Sequence, residues 1–157
     1  MASGEQQGWP QRFSARYDRA LLPVLAIVPV LPLTRAAFLW AGGEAGLAAG
    51  LLVIATLGSL ALWAVLPRGF EVWPDRVRIV LGGPFTFSVN LDSIEGVEAA
   101  PGVRAILPMR WGAIFATSFK TTVRLRRPKG VSYMISPRDP AGFSESVGAA
   151  IAKRRRS

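Results

Sequence analysis

The chain has no cysteine and no histidine. The first absence excludes disulfides and thiolate metal sites, and the second removes the commonest general base and the commonest metal ligand. Acidic residues are scarce, ten Asp/Glu against nineteen Lys/Arg for a net charge of +9. No glycine-rich phosphate loop with a following Lys-Ser/Thr is present. Charge of either sign is almost missing from residues 20–66, where only Arg35 and Glu44 carry any. What fills that region is apolar, and a 50% hydrophobic composition concentrated in this way points first to membrane segments.

Residues 45–66, "AGLAAGLLVIATLGSLALWAVL", are uncharged throughout. As a helix they are long enough to cross roughly 30 Å of hydrocarbon. Residues 20–40 form a less regular run with Pro23, Pro29, Pro32 and Arg35, read as a kinked first span whose arginine snorkels outward. The rival reading is a signal peptide with Arg12, Arg16 and Arg19 as its basic region, but the prolines and the poor cleavage site near "LTRAA" argue against it. The link 41–44 has no Lys/Arg, the segment before the first span has three and the segment after the second has fifteen. By the positive-inside rule the expectation is a multi-pass protein of the cell membrane with both termini cytoplasmic. Trp40 and Trp63 lie near opposite ends of their helices, as interfacial anchors should. Gly42, Gly46 and Gly50 give a smooth stripe, expected to pack on the first helix rather than form a dimer seam. In residues 1–19, Trp9, Phe13 and Tyr17 recur every four residues beside three arginines; a helix lying on the lipid surface and a disordered tail are the two readings.

From residue 67 the period changes from helical to two. "RVRIVL" alternates Val77, Ile79 and Leu81 with Arg76, Arg78 and Val80, and after a turn at "GGP" the run "FTFSVNL" alternates Phe85, Phe87, Val89 and Leu91 with Thr86, Ser88 and Asn90. Further strands are expected at 70–73, 94–99, 113–119, 121–127 and 131–135, and a loop over 99–112. "SPRDPAGF" then reads as a strand end, a rigid turn and a helix start. Asp139 is the expected N-cap, Pro140 the first helical residue, and Phe143, Val147 and Ile151 one buried face.

Seven short antiparallel strands closed by one C-terminal helix are the order of a pleckstrin-homology-like barrel. With the two preceding spans, the segments "GFEVWPDRVRI", "LDSIEGVE" and "YMISPRDPAGFSESV" resemble the bacterial PH-like domains of small membrane proteins, over residues 67–151. The most specific part is "ISPRDPAGF", although Arg138 stands where that group usually has an acid. The resemblance implies a two-helix hairpin (20–40 and 45–66), an all-β PH-like barrel capped by an α-helix (67–152) and a basic tail (153–157).

No catalytic constellation emerges, and no cofactor or metal site is expected. Asp92, Glu95 and Glu98 crowd together, but Glu95 and Glu98 are three apart and should fall on opposite faces of a strand. Ser118 and Lys120 form no more than a chance pair without an oxyanion-hole motif. After residue 66, fifteen Lys/Arg face seven Asp/Glu, a net of +8. Arg76, Arg78, Arg124, Arg126, Arg127, Lys153, Arg154, Arg155 and Arg156 are the candidate contacts to anionic lipid, each worth roughly 1 kcal/mol if held near the surface. Nucleic acid is not an expected partner, because no aromatic stacking platform accompanies the terminal cluster. The functional expectation is a membrane-anchored, non-catalytic module for interaction or assembly, partnered by membrane lipids and by another membrane protein. An anionic-lipid-recognition domain and an accessory subunit of a membrane enzyme or transporter are the alternatives.

Overall fold

The computed structural model describes residues 8–100, 113–118, 120–128, 130 and 132–156. Two helices, α1 (Leu21–Ala41) and α2 (Ala45–Val65), occupy the apolar runs. At about 1.5 Å per residue each reaches roughly 30 Å, the thickness of a bilayer core. Only 6% and 11% of their most apolar windows are buried, so neither is the core helix of a soluble domain. They pack on each other through Ala36, Ala48 and Ala55, and Gly58 lets Val28 approach. The expected glycine stripe is not this seam: a Cβ added at Gly46 or Gly50 would meet nothing within 4 Å.

The β-rich part is two four-stranded sheets and not a closed barrel. The first has the order β1 (Gln11–Ser14), β2 (Gly69–Val72), β3 (Arg76–Val80), β4 (Thr86–Asn90), all antiparallel. The second has the order β5 (Gly96–Ala99), β7 (Val123–Arg126), β8 (Tyr133–Ile135), β6 (Ala113–Phe115). Closure fails between β4 and β5, where a single 3-10 turn (Leu91–Ser93), capped by the Asn90 side chain accepting from the Asp92 N–H at 3.1 Å, redirects the chain from one sheet to the other.

The expectation of all-antiparallel pairing also fails at one place, since β6 runs parallel to β8. The segment after β6 crosses the end of β8 to reach β7 on its other side. It is pinned there by the Ser118 N–H donating to Ser136 Oγ at 3.2 Å and the Ser136 hydroxyl donating to the Ser118 carbonyl at 2.7 Å. The loop expected over 99–112 lies, from residue 101 onward, outside the described residues.

Residues 8–18 hold the largest correction. They are neither an interfacial helix nor a separate segment: β1 pairs in register with β2, Phe13 opposite Phe70 and Arg12 opposite Glu71. A spacing of four is also an even number, so the residues that would share a helix face share a strand face as well. Packing decides between the two, with the Phe13 ring edge-on to Phe143 at 5.3 Å.

Phe70, Val72, Val77, Ile79 and Val89 from one sheet meet Val123, Leu125, Tyr133 and Ile135 from the other. The helix α3 (Pro140–Arg154) closes this core with Phe143, Val147 and Ala150, while Ile151 is half-buried. Alternation is strict on β7, where Val123 and Leu125 are buried and Arg124 and Arg126 exposed. The helix start is as the residues require: Asp139 accepts from the Gly142 N–H at 3.0 Å and Pro140 takes the first turn, where a missing N–H costs nothing. Replacing Asp139 by Ala should therefore lower stability by about 0.5–2 kcal/mol. Denaturant melts of the whole chain in detergent test this, and an unchanged midpoint contradicts the cap. A fragment beginning at residue 67 would be the wrong material, because it lacks β1.

Candidate functional site

The two sheets place the helices at one end of the β-rich domain and the basic tail at the other. β1 ends at Ser14 just before α1, and β2 begins at Gly69 just after α2, paired with Ser14 on one side and Val80 on the other. At the opposite end of the same strands lie Gln11, Val72, Arg76 and Asn90, and then Asp92.

At the helix end the backbone is stitched across four chain segments. The N–H groups of Ala15, Arg16, Asp18 and Arg138 donate to the carbonyls of Arg68, Ser136, Thr117 and Ser14, at 3.1, 2.9, 2.9 and 2.9 Å. Side chains complete the junction: Thr117 donates to the Arg16 carbonyl at 2.6 Å, Ser118 to the Asp18 carboxylate at 2.9 Å, and Tyr17 to the Pro67 carbonyl at 2.5 Å. Burial pushes the Tyr17 phenol up in pKa, and the positive charge of Arg68 pulls the other way. Ser118 is therefore a buried structural hydroxyl, with its oxygen also accepting from the Lys120 N–H at 3.2 Å.

The turn between β3 and β4 lies against the last turns of α2. A Cβ on Gly82 would overlap the Trp63 carbonyl oxygen and sit 2.7 Å from its carbon; one on Gly83 would sit 2.9 Å from the Trp63 ring. The Arg68 guanidinium lies over the same indole, 4.7 Å from its centroid.

The nine candidate basic residues do not form one patch. On the outer face of the first sheet, Arg12, Glu71, Arg78 and Ser88 make a cross-strand row, with Glu71 3.1 Å from Arg12 and 3.8 Å from Arg78. Arg76 is committed to Asp75 at 2.7 Å, and that hydrogen bond holds the Asp75 carboxyl below the usual carboxylate range. With Trp73, Thr86 and Ser88, these two arginines line an open groove of about 380 Å³.

On the second sheet Arg126 reaches Glu95 and Glu98, both at 3.2 Å, which raises the pKa of its guanidinium. The two acids expected on opposite faces thus share one partner, because Glu95 precedes β5 and escapes its alternation. Arg124 is exposed, and Arg127 lies 5.6 Å from the centroid of the Tyr133 ring while donating to its hydroxyl at 3.3 Å. Arg154 grips Asp92 with two nitrogens, so Asp92, Glu95 and Glu98 are each engaged by an arginine.

The Arg154–Asp92 contact fixes where the tail is. α3 starts at the junction, where Pro137 bridges Ala15, and ends beside Asp92. Along its axis that is roughly 20 Å away from the helix end of the domain. Lys153, Arg155 and Arg156 are exposed there. Exposed charges interact weakly beyond about 8 Å at physiological salt, so the tail and the arginines at the junction act as separate groups of charge.

No family model, curated protein or solved structure matches this chain. The site rests on its own geometry. The arginines nearest the helices are Arg16, Arg19 and Arg68, all exposed and none among the nine. Their signal was in plain view, since each lies within four residues of an apolar run. Phe85 was expected on a buried face but is 55% exposed, because it lies in register with the core yet past its end.

Proposed function

We propose that the chain is a membrane-anchored, non-catalytic interaction or assembly module, its β-rich domain held without a linker against the cytoplasmic face by a two-span hairpin. The observation that carries this reading is the pairing of β1 with β2. Strands flanking the two apolar helices hydrogen-bond to each other, so the helices must leave and re-enter the domain on one side. A cleaved signal peptide fits poorly, because a cut near residues 33–37 would detach β1 from its sheet. The Lys/Arg distribution then selects the cytoplasm as that side. The strand order with its closing helix supports a PH-like scaffold, opened into two sheets.

Non-catalytic use is favoured by how the polar groups are employed. Ser118, Ser136, Thr117 and Asp18 hold the junction together, and the three crowded acids serve as counter-ions. Between the partner classes, the position of the tail favours an acidic protein surface facing the cytosol over headgroups. Reporters fused to each end of the full chain test the architecture: both should report cytoplasm. Reporters on opposite sides would overturn the hairpin, and both outside would overturn its cytoplasmic orientation.

A further inference from the structure

The β3–β4 turn is built as if to meet the same apolar layer as α2. Leu81 and Phe85 bracket Gly82, Gly83 and Pro84, with the Leu81 N–H donating to the Phe85 carbonyl at 3.0 Å. Gly83 has φ of +66°, a left-handed conformation that glycine adopts without a Cβ penalty. Gly82 brings the turn onto the Trp63 backbone itself, so the tip is level with a residue inside α2 and not with the chain leaving it. Helix residues two apart rise about 3 Å, which puts Trp63 just within the end of the helix at Val65.

The side chains at this level are of the interfacial kind. Trp63 is 47% exposed, Val65 60% and Phe85 55%, with Arg68 over the indole. Tryptophan with a cation beside it is the composition found at headgroup depth, where an apolar ring and a charge both have partners. Phe87, two residues further along, is less exposed at 36%, and its ring stacks on Phe115 at 5.5 Å and lies 5.3 Å from Tyr133, so it is held against the second sheet where Phe85 is not.

We propose that the 82–85 tip is a further membrane contact of the domain, seated at the boundary between headgroups and acyl chains beside the last turn of α2, with Phe85 in lipid. The proposal rests on α1 and α2 spanning the bilayer. Lipid is the occupant because the tip is continuous with the lipid-facing surface of α2, and the nearby Arg68 suits anionic headgroups. Together with the two helix junctions, such a contact fixes the tilt of the domain and decides which of its faces is turned to the cytosol.

The absence of cysteine makes the test direct. Single variants Phe85→Cys, Thr86→Cys, Asn90→Cys and Leu57→Cys of the full chain are spin-labelled in nanodiscs of phosphatidylcholine with phosphatidylglycerol. Accessibility to oxygen and to a water-soluble nickel chelate is then measured. Asn90, at the far end of β4, should be open to the chelate, and Leu57, mid-helix, should be reached by oxygen alone. The label at 85 should lose most of the chelate relaxation seen at 90 while keeping access to oxygen. The label at 86, which leaves Phe85 in place, should fall between the two. Chelate access at 85 equal to that at 90 overturns the proposal, as does protection at 85 from both reagents, which marks a protein cover. Chelate access at 57 overturns the spanning reading as well, so the two failures are distinguishable.

Discussion

Replacing Phe143 by alanine should destabilise the domain by about 3–5 kcal/mol, the cost of removing a fully buried phenylalanine and leaving a cavity. Its ring is 0% exposed and lies edge-on to Phe13 at 5.3 Å and to Phe70 at 6.1 Å, so one side chain joins α3, β1 and β2. Phe13 is only partly buried, and Phe13→Ala should cost less. If β1 is seated as described, the two substitutions should not be additive, with a coupling of about 0.5–1.5 kcal/mol for an aromatic pair. Denaturant titrations of the detergent-solubilised chain, followed by near-UV circular dichroism, supply all three values. Simple additivity would mean that residues 8–18 do not pack on α3, and the argument that both helix flanks enter one domain would fall with it.

The parts of the fold that were legible in the sequence are those where one residue type has one local solution. An uncharged run of this length has no place in a small soluble core, and Asp-Pro after a strand leaves few options besides a cap and a first helical turn. The alternation in 76–80 was readable for the same reason, since a period of two fixes the face of each residue, whereas on β4 only Val89 is buried and Phe85 and Phe87 are exposed. What was not legible depended on contacts distant in sequence. Phe13 is compatible with helix and strand alike, and only its position beside Phe70 and Phe143 chooses. Whether β4 would pair with β5 is not encoded in either strand but in the turn between them, where Asn90 caps Asp92 and sends the chain away.

The basic residues show the same division. Counting them gave the sign and size of the charge correctly, but its usefulness depends on where each guanidinium ends up. Arg76, Arg78, Arg126 and Arg154 each have a carboxylate on the strand or turn beside them. Spacing along the chain could not reveal that the terminal cluster is carried by α3 to the far end of the domain. The acids themselves were visible, but Asp92 and Arg154 are 62 residues apart.

Introducing a methyl group at Gly82 should have the largest effect of any substitution this small. The added Cβ would overlap the Trp63 carbonyl oxygen and lie 2.7 Å from the carbonyl carbon and 3.2 Å from the Ala64 Cα. All three are backbone atoms of a helix, which cannot rotate aside as a side chain would, so either the hairpin or the end of α2 must move. The cost should reach or exceed the 1–3 kcal/mol of ordinary overpacking, about that order at least. Part of it should appear as separation of the two elements. Gly96→Ala is the matched control, since its methyl would meet nothing within 4 Å and a strand interior prefers alanine to glycine. With a nitroxide at position 85 and a second on α2 at Leu57, Gly82→Ala should lengthen the distance between labels or broaden its distribution, and Gly96→Ala should leave it alone. An unchanged distance together with an unchanged melt in Gly82→Ala would show that the tip does not rest on the helix. The interfacial seat of Phe85 would then lose the contact that sets its depth, and the domain would be tied to the membrane by its two helix junctions alone.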